Sequence, residues 1–139
     1  MTPTWVAAIL DSRAFQLLAR IMLMITFIVP GIMQPLQFQN ALGEFTHFHL
    51  APPAPYVIAS FITLLVGAAL VILGGKWTWL GAGALGIYTG LTIFIAHHFW
   101  TMSGDERLGE MRQTLEHLSV IGGLMLVAIA QNGRRKTVA

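Results

Sequence analysis

Apolar residues fall along this chain in four long runs, at about 14–33, 56–75, 77–99 and 113–131, and the stretches between and beyond them hold most of its charge. Each run is close to the ~20 residues that a helix needs to cross about 30 Å of hydrocarbon. The run over 56–75 is uninterrupted, and the first is broken only by Gln16 and Arg20 near its start. An isolated arginine there can snorkel its guanidinium to the near interface along its apolar stem. Inside a bilayer the backbone must satisfy its own hydrogen bonds, so runs of this length predict helices. The expected fold is an all-α membrane protein, a four-helix transmembrane bundle that forms one domain over residues 1–139.

Between the runs, residues 1–13 make a polar-to-amphipathic lead with Trp5, Asp11 and Arg13. A basic region before an apolar core also fits a secretory signal peptide, but no small-x-small cleavage site follows and three further spans do. Pro30-Gly31 weakens the last turns of the first span and predicts a kink. Residues 34–54 predict a polar, aromatic loop with Glu44, His47 and His49, closed by Pro52-Pro53-Ala54-Pro55. Pro55 suits the first turn of the next helix. After the tight turn at Gly74-Gly75-Lys76, Trp77 and Trp79 sit where an interfacial aromatic belt belongs.

The third run carries Gly81, Gly83, Gly86 and Gly90, with Gly86-x-x-x-Gly90 a close-packing pattern. At 100° per residue, Gly83, Gly86, Gly90 and His97 fall within about 40° of one line. The pattern predicts a central, closely packed third span with His97 directed at neighbouring helices. His98 follows Ala84, Ile87, Leu91 and Phe94 and is directed elsewhere.

Composition agrees with the membrane reading: 55% of residues are hydrophobic and 10% charged, against about 45–50% and about 25% in soluble domains. The mean hydropathy is +0.70. A net charge of +2 with a calculated pI near 9.5 implies no nucleic-acid partner, because the basic residues flank the spans instead of forming a patch. There is no cysteine, which excludes disulfides, iron–sulfur ligation and a thiol nucleophile. A self-contained thiol–quinone oxidoreductase is excluded with them.

Charge also sets an expected orientation. Four spans put both termini and Lys76 on one face, with Arg13, Arg20, Arg134, Arg135 and Lys136. The other face has only Arg107 and Arg112. This positive-inside bias predicts cytoplasmic termini, with Arg134-Arg135-Lys136 a topology anchor facing anionic lipid. All five histidines then lie at the outer face, together with Glu44, Asp105, Glu106, Glu110 and Glu116.

The histidines carry the candidate chemistry. Neutral imidazole ligates metal or haem iron, and imidazole can exchange protons with a quinone oxygen. The spacing is not that of a metal site. His97 and His98 are adjacent, so one helix cannot aim both at one ion, and no His-x-x-x-His or His-Glu-x-x-His occurs. His47 and His49 share a face only in extended chain. The alternative is that histidine and tryptophan simply populate a polar interface. Asp105, Glu106, Arg107, Glu110 and Arg112 suit either a docking surface or local ion pairs, and exposed pairs of that kind are weak. Met22, Met24, Met33 and Met125 fit packing better than haem ligation. Mid-membrane Tyr88 needs a partner for its hydroxyl, such as a threonine or a carbonyl.

The stretch Ile95-Ala96-His97-His98-Phe99-Trp100, then Gly104-Asp105, and the run Leu118-Ser119-Val120-Ile121-Gly122-Gly123-Leu124-Met125-Leu126 resemble the DoxX family, in particular its short YphA-like members. Arg20 with the apolar run to Gly31, Leu50-x-x-Pro53-x-Pro55, and Leu73-Gly74 fit the same resemblance, which covers about residues 15–130. It implies a four-helix protein of the bacterial inner membrane. A few members are subunits of membrane oxidoreductases linked to quinone. Many members carry Gly-x-x-Lys at the end of the first span, where this chain has Gly31-Ile32-Met33-Gln34. Many also carry a glutamate in the second span, and here no acidic residue occurs between Glu44 and Asp105. Joint loss of both partners is physically coherent, because losing one alone strands a charge in low dielectric.

These readings converge on an outer-face cleft lined by His97 with Trp100 and His117, and approached by His98, His47 and His49. Its expected ligand is a quinone or similar amphiphile, with haem the lesser candidate, and its electrons come from an oxidoreductase partner subunit. A non-catalytic scaffold or partner-binding protein is the rival reading, and a small transporter the third. Reporter fusions test the orientation: alkaline phosphatase is expected to be inactive at the C-terminus and active within residues 34–54, and the reverse pattern overturns it.

Overall fold

The computed structural model describes residues 2–138, with side chains described for residues 2–133. The side chains of Arg134, Arg135 and Lys136, the expected topology anchor, lie outside the described ones. Six α-helices follow in order: α1 (Thr4–Asp11), α2 (Arg13–Leu36), α3 (Phe38–His47), α4 (Pro53–Leu73), α5 (Thr78–Ile95) and α6 (Gly104–Val138), with a 3₁₀ turn at Phe99–Thr101 before the last. Four segments are long and apolar enough to cross a membrane: Arg13–Leu36, Pro53–Leu73, Thr78–Thr101 and Gly104–Gly133.

Several boundaries differ from the sequence reading, each for a local reason. The lead contains a short helix, α1, and Ser12 separates it from α2 by accepting a hydrogen bond from the Phe15 amide. That is an ordinary N-cap. Pro30 and Pro35 both lie inside α2, which runs on past the Pro30-Gly31 dipeptide to Leu36. Residues 34–54 are not a loop: α3 occupies Phe38–His47. Phe38, Ala41, Leu42 and Phe45 repeat at helical spacing, and Ala41 is buried. The polar composition masked that period. The fourth span begins at Gly104, so the expected polar loop before residue 113 is helical. Gly104 supplies the positive φ of 64°, and Asp105 and Glu106 in the first turn complement the helix dipole.

The helices pack in chain order, α2 against α4, α4 against α5, and α5 against α6, with α3 laid against α2 and α4. The core joins Met24 and Phe27 of α2, Leu64, Ala68 and Val71 of α4, Ala82 and Leu85 of α5, and Leu124 of α6. Large apolar side chains outside it, such as Met22, Val66, Ile87 and Leu126, are exposed, as a lipid-facing surface requires. Arg20 does more than snorkel. It donates to the Ile72 carbonyl at 3.4 Å, tying α2 to the carbonyl end of α4, where the dipole favours a cation.

The expected glycine contact at Gly83, Gly86 and Gly90 is corrected by the packing. Gly83 and Gly90 face open space, and Gly86 has only the tip of Leu124 at 4.0 Å from an added Cβ. The buried line of α5 is instead Thr78, Gly81, Ala82, Leu85, Thr89 and Ile93. At Gly81 a Cβ would lie 2.7 Å from the Gly67 carbonyl oxygen and 2.8 Å from Leu70 Cβ. At Gly67 it would meet Leu85 at 2.7 Å. Small residues therefore let α4 and α5 touch through Gly67 and Gly81, one turn away from the predicted motif. Gly81→Leu is expected to destabilise the detergent-solubilised protein by about 3 kcal/mol or more, since backbone must move, whereas Gly90→Leu has room. Thermal unfolding checks this, and equal midpoints for the two variants contradict it.

Candidate functional site

The site is built at the corner between α5 and α6. α5 ends at Ile95, where the amides of Ala96 and His97 make the last bonds back to the Thr92 and Ile93 carbonyls. The chain then turns through the 3₁₀ segment and re-enters helix at Gly104. His97 is thus not on the helix whose wheel was used to orient it. It is turned inward by the corner itself, with its side chain 15% exposed.

Two hydrogen bonds hold it there. His97 Nδ1 lies 2.6 Å from Glu110 Oε2, and the Thr114 hydroxyl donates to the His97 carbonyl at 3.4 Å and to the Glu110 carbonyl at 2.9 Å. Thr114 is buried. One turn on, His117 Nδ1 lies 2.8 Å from the Gln113 carbonyl. The two rings meet edge to face with centroids 4.8 Å apart. A carboxylate and a carbonyl only accept, so both histidines carry hydrogen on Nδ1. In the neutral ring, Nε2 is then the bare, basic nitrogen.

Beside this corner lies a cavity of about 790 Å³ bounded by α2, α3, α4, α5 and α6. It forms because α2 and α6 meet only over a short stretch, around Leu23 and Gly123, and diverge toward the histidine end. Its walls are mainly apolar, including Phe27, Leu64, Leu91 and Val120. His97, His117, Gln113, Glu116, Glu44 and Gln34 also line it. Deeper in, the Ser60 and Tyr88 hydroxyls are hydrogen-bonded at 2.8 Å. Each lies seven residues from the histidine end of its helix, about 10 Å along the axis. Gln34 Oε1 is buried without a hydrogen-bond partner. Among the described residues, no three His, Asp or Glu side chains are grouped to hold a metal ion.

The structure brings His97 and His117 together on the cavity wall and leaves the other candidates off it. Trp100 is 51% exposed and packs against Phe94, Phe99 and His98. His98 is half-buried beside that tryptophan. His47 is exposed against Phe48, and His49 is exposed at a positive φ of 60°. Three participants were missed. Glu110 precedes Thr114 by four and His117 by seven, one helix face that is visible once the helix is extended to Gly104. Ser60, the partner of Tyr88, is one of three hydroxyl residues in α4, with Tyr56 and Thr63. Gln34, which stands where many family members carry a lysine, also lines the cavity.

Comparison with known proteins agrees with this architecture. The DoxX sequence model matches residues 15–98. The chain is 30% identical over 118 residues to the inner membrane protein YphA of Escherichia coli (strain K12), covering 84% of this chain and 83% of that protein. No solved structure matches. With four membrane-spanning helices and a family match over most of its spans, this chain is a multi-pass inner-membrane protein that belongs to the DoxX family.

Proposed function

We propose that this protein binds a quinone or a similar amphiphile in the cavity beside the α5–α6 corner and serves as a membrane subunit of an oxidoreductase system. One observation carries the reading: a cavity of about 790 Å³ with mainly apolar walls also has His97, His117, Gln34, Glu44 and Glu116 among its lining residues. That is the usual make-up of a small-molecule site, and the volume falls within the ~300–1,000 Å³ range of such sites. The divergence of α2 and α6 offers a tail a path between helices. With the basic residues of the termini facing the cytoplasm, the histidine end lies at the outer face.

A quinone fits the residues present. It would supply two-electron chemistry, and its head group would lie among His97, His117 and Gln34. Glu110 holds the His97 ring by its Nδ1 hydrogen, which leaves Nε2 as the atom able to exchange a proton with the head group. Electrons come from a partner subunit, since the chain has no thiol pair or cluster ligands. Haem fits less well: the His97 and His117 rings touch edge to face, which leaves no space for an iron between them.

Calorimetric titration of the purified protein with a short-chain quinone analogue, in either oxidation state, tests the reading. His97→Ala is expected to weaken binding about tenfold, the effect of a hydrogen bond lost in an apolar cleft, while His98→Ala changes it little. If the wild type binds neither oxidation state, the redox reading is dropped in favour of a scaffold.

A further inference from the structure

We infer that the cavity selects its ligand by ring class: a quinone with ether oxygens on the ring edge opposite its tail, in preference to one whose far edge is hydrocarbon, in either oxidation state. The inference rests on the amphiphile-binding reading above and adds the substituents of the head group.

Hydroxyl side chains are few in these spans, and they are not scattered. Tyr56, Ser60 and Thr63 are the hydroxyl residues of α4, at the i, i+4, i+7 spacing of one helix face. All three line the cavity. Of the four in α5, Tyr88, Thr89 and Thr92 line it, and Thr78 at the opposite end of the helix does not. The helices meet in the cyclic order α2, α4, α5, α6. The hydroxyl-bearing wall formed by α4 and α5 therefore stands across the cavity from the divergence of α2 and α6. Thr26, on α2, is the one further hydroxyl residue on the lining.

Some hydrogens of this lining are in use. Thr89 and Thr92 donate to the Leu85 and Thr89 carbonyls, both at 2.8 Å. Ser60 and Tyr88 use one hydrogen between them and keep one. The Thr26, Tyr56 and Thr63 hydroxyls find no acceptor among the described residues, nor do the Gln34 and Gln113 amide groups, which also line the cavity. The spare hydrogens exceed what two ring carbonyls can accept. In hydrocarbon a donor without an acceptor is costly, and a ligand that brings the acceptor removes that cost.

A tail that leaves between α2 and α6 turns the opposite edge of its ring to α4 and α5. Ether oxygens on that edge accept the spare hydrogens of the wall. Methyl groups or a fused benzene ring there accept none. Reduction converts the ring carbonyls to hydroxyls and leaves the ether oxygens as they are, so the preference holds for both oxidation states.

The test is calorimetric titration of the whole protein in nanodiscs with three decyl-tailed quinones, empty nanodiscs supplying the baseline. Decylubiquinone has methoxy groups on the far edge, decyl-trimethylbenzoquinone has methyl groups there, and decyl-substituted menadione has a fused benzene ring. With affinity expressed per mole fraction in the lipid, decylubiquinone is expected to bind about tenfold tighter than either of the others, the effect of one or two hydrogen bonds. Tyr56→Phe combined with Thr63→Val removes two spare hydrogens at nearly constant shape. It is expected to cut the preference to about threefold or less while leaving affinity for the trimethyl ring within about twofold. Thr26→Val, on the other side of the cavity, is expected to leave the preference intact. Equal affinity for the three rings, tighter binding of a hydrocarbon-edged ring, or a preference that the α4 double variant leaves unchanged overturns the inference and leaves the amphiphile site standing. Absence of binding by all three probes overturns both. The wild-type comparison decides alone if the double variant does not fold.

Discussion

At the corner where α5 gives way to α6, His97 donates through Nδ1 to Glu110 at 2.6 Å while the Thr114 hydroxyl bridges the His97 and Glu110 carbonyls. The rest of the site depends on that corner. It satisfies backbone and side-chain polar groups just where the chain leaves helical geometry, which in an apolar surrounding is otherwise expensive. It fixes the tautomer of His97, turns the ring toward the bundle, and sets the start of α6 so that His117 falls against it. A change at Glu110 therefore releases the orientation of the His97 ring.

The packing has opposite character at its two ends. Toward Lys76, glycines at 67 and 81 bring α4 and α5 into backbone contact, and Arg20 ties α2 to the end of α4. Toward the histidines, α2 and α6 diverge, and α3 lies beside the opening. Dispersion and close contact hold the bundle at one end, because apolar burial gives little driving force between helices in lipid. That leaves the other end free to carry a cavity with polar walls. The arrangement joins a rigid half to a half able to hold a ligand.

The four spans were legible in the sequence because a bilayer demands about twenty apolar residues at a time, whatever their detailed packing. The amphipathic helix α3 was not, since its glutamate, histidine and asparagine masked the spacing of Phe38, Ala41, Leu42 and Phe45. His97 and His117 were legible as a pair through depth alone. A helical wheel does not orient His97, because the helix stops at Ile95. The glycine motif failed for a related cause. Several glycines share one helix, and only the position of α4, a tertiary fact, selects Gly81 over Gly86. Glu110, Ser60 and Gln34 became visible as site residues only when distances joined segments far apart in the chain.

The claim that unites these features is that the space beside the α5–α6 corner exists to hold a single amphiphile. Native mass spectrometry of the protein released from its own membrane, with organic extraction of what it carries, tests that claim most directly. The expected result is a stoichiometric single-headed amphiphile of the isoprenoid quinone class, in either oxidation state, retained through detergent exchange. Protein that carries nothing, or only the bilayer's phospholipids in their bulk proportions, would contradict it.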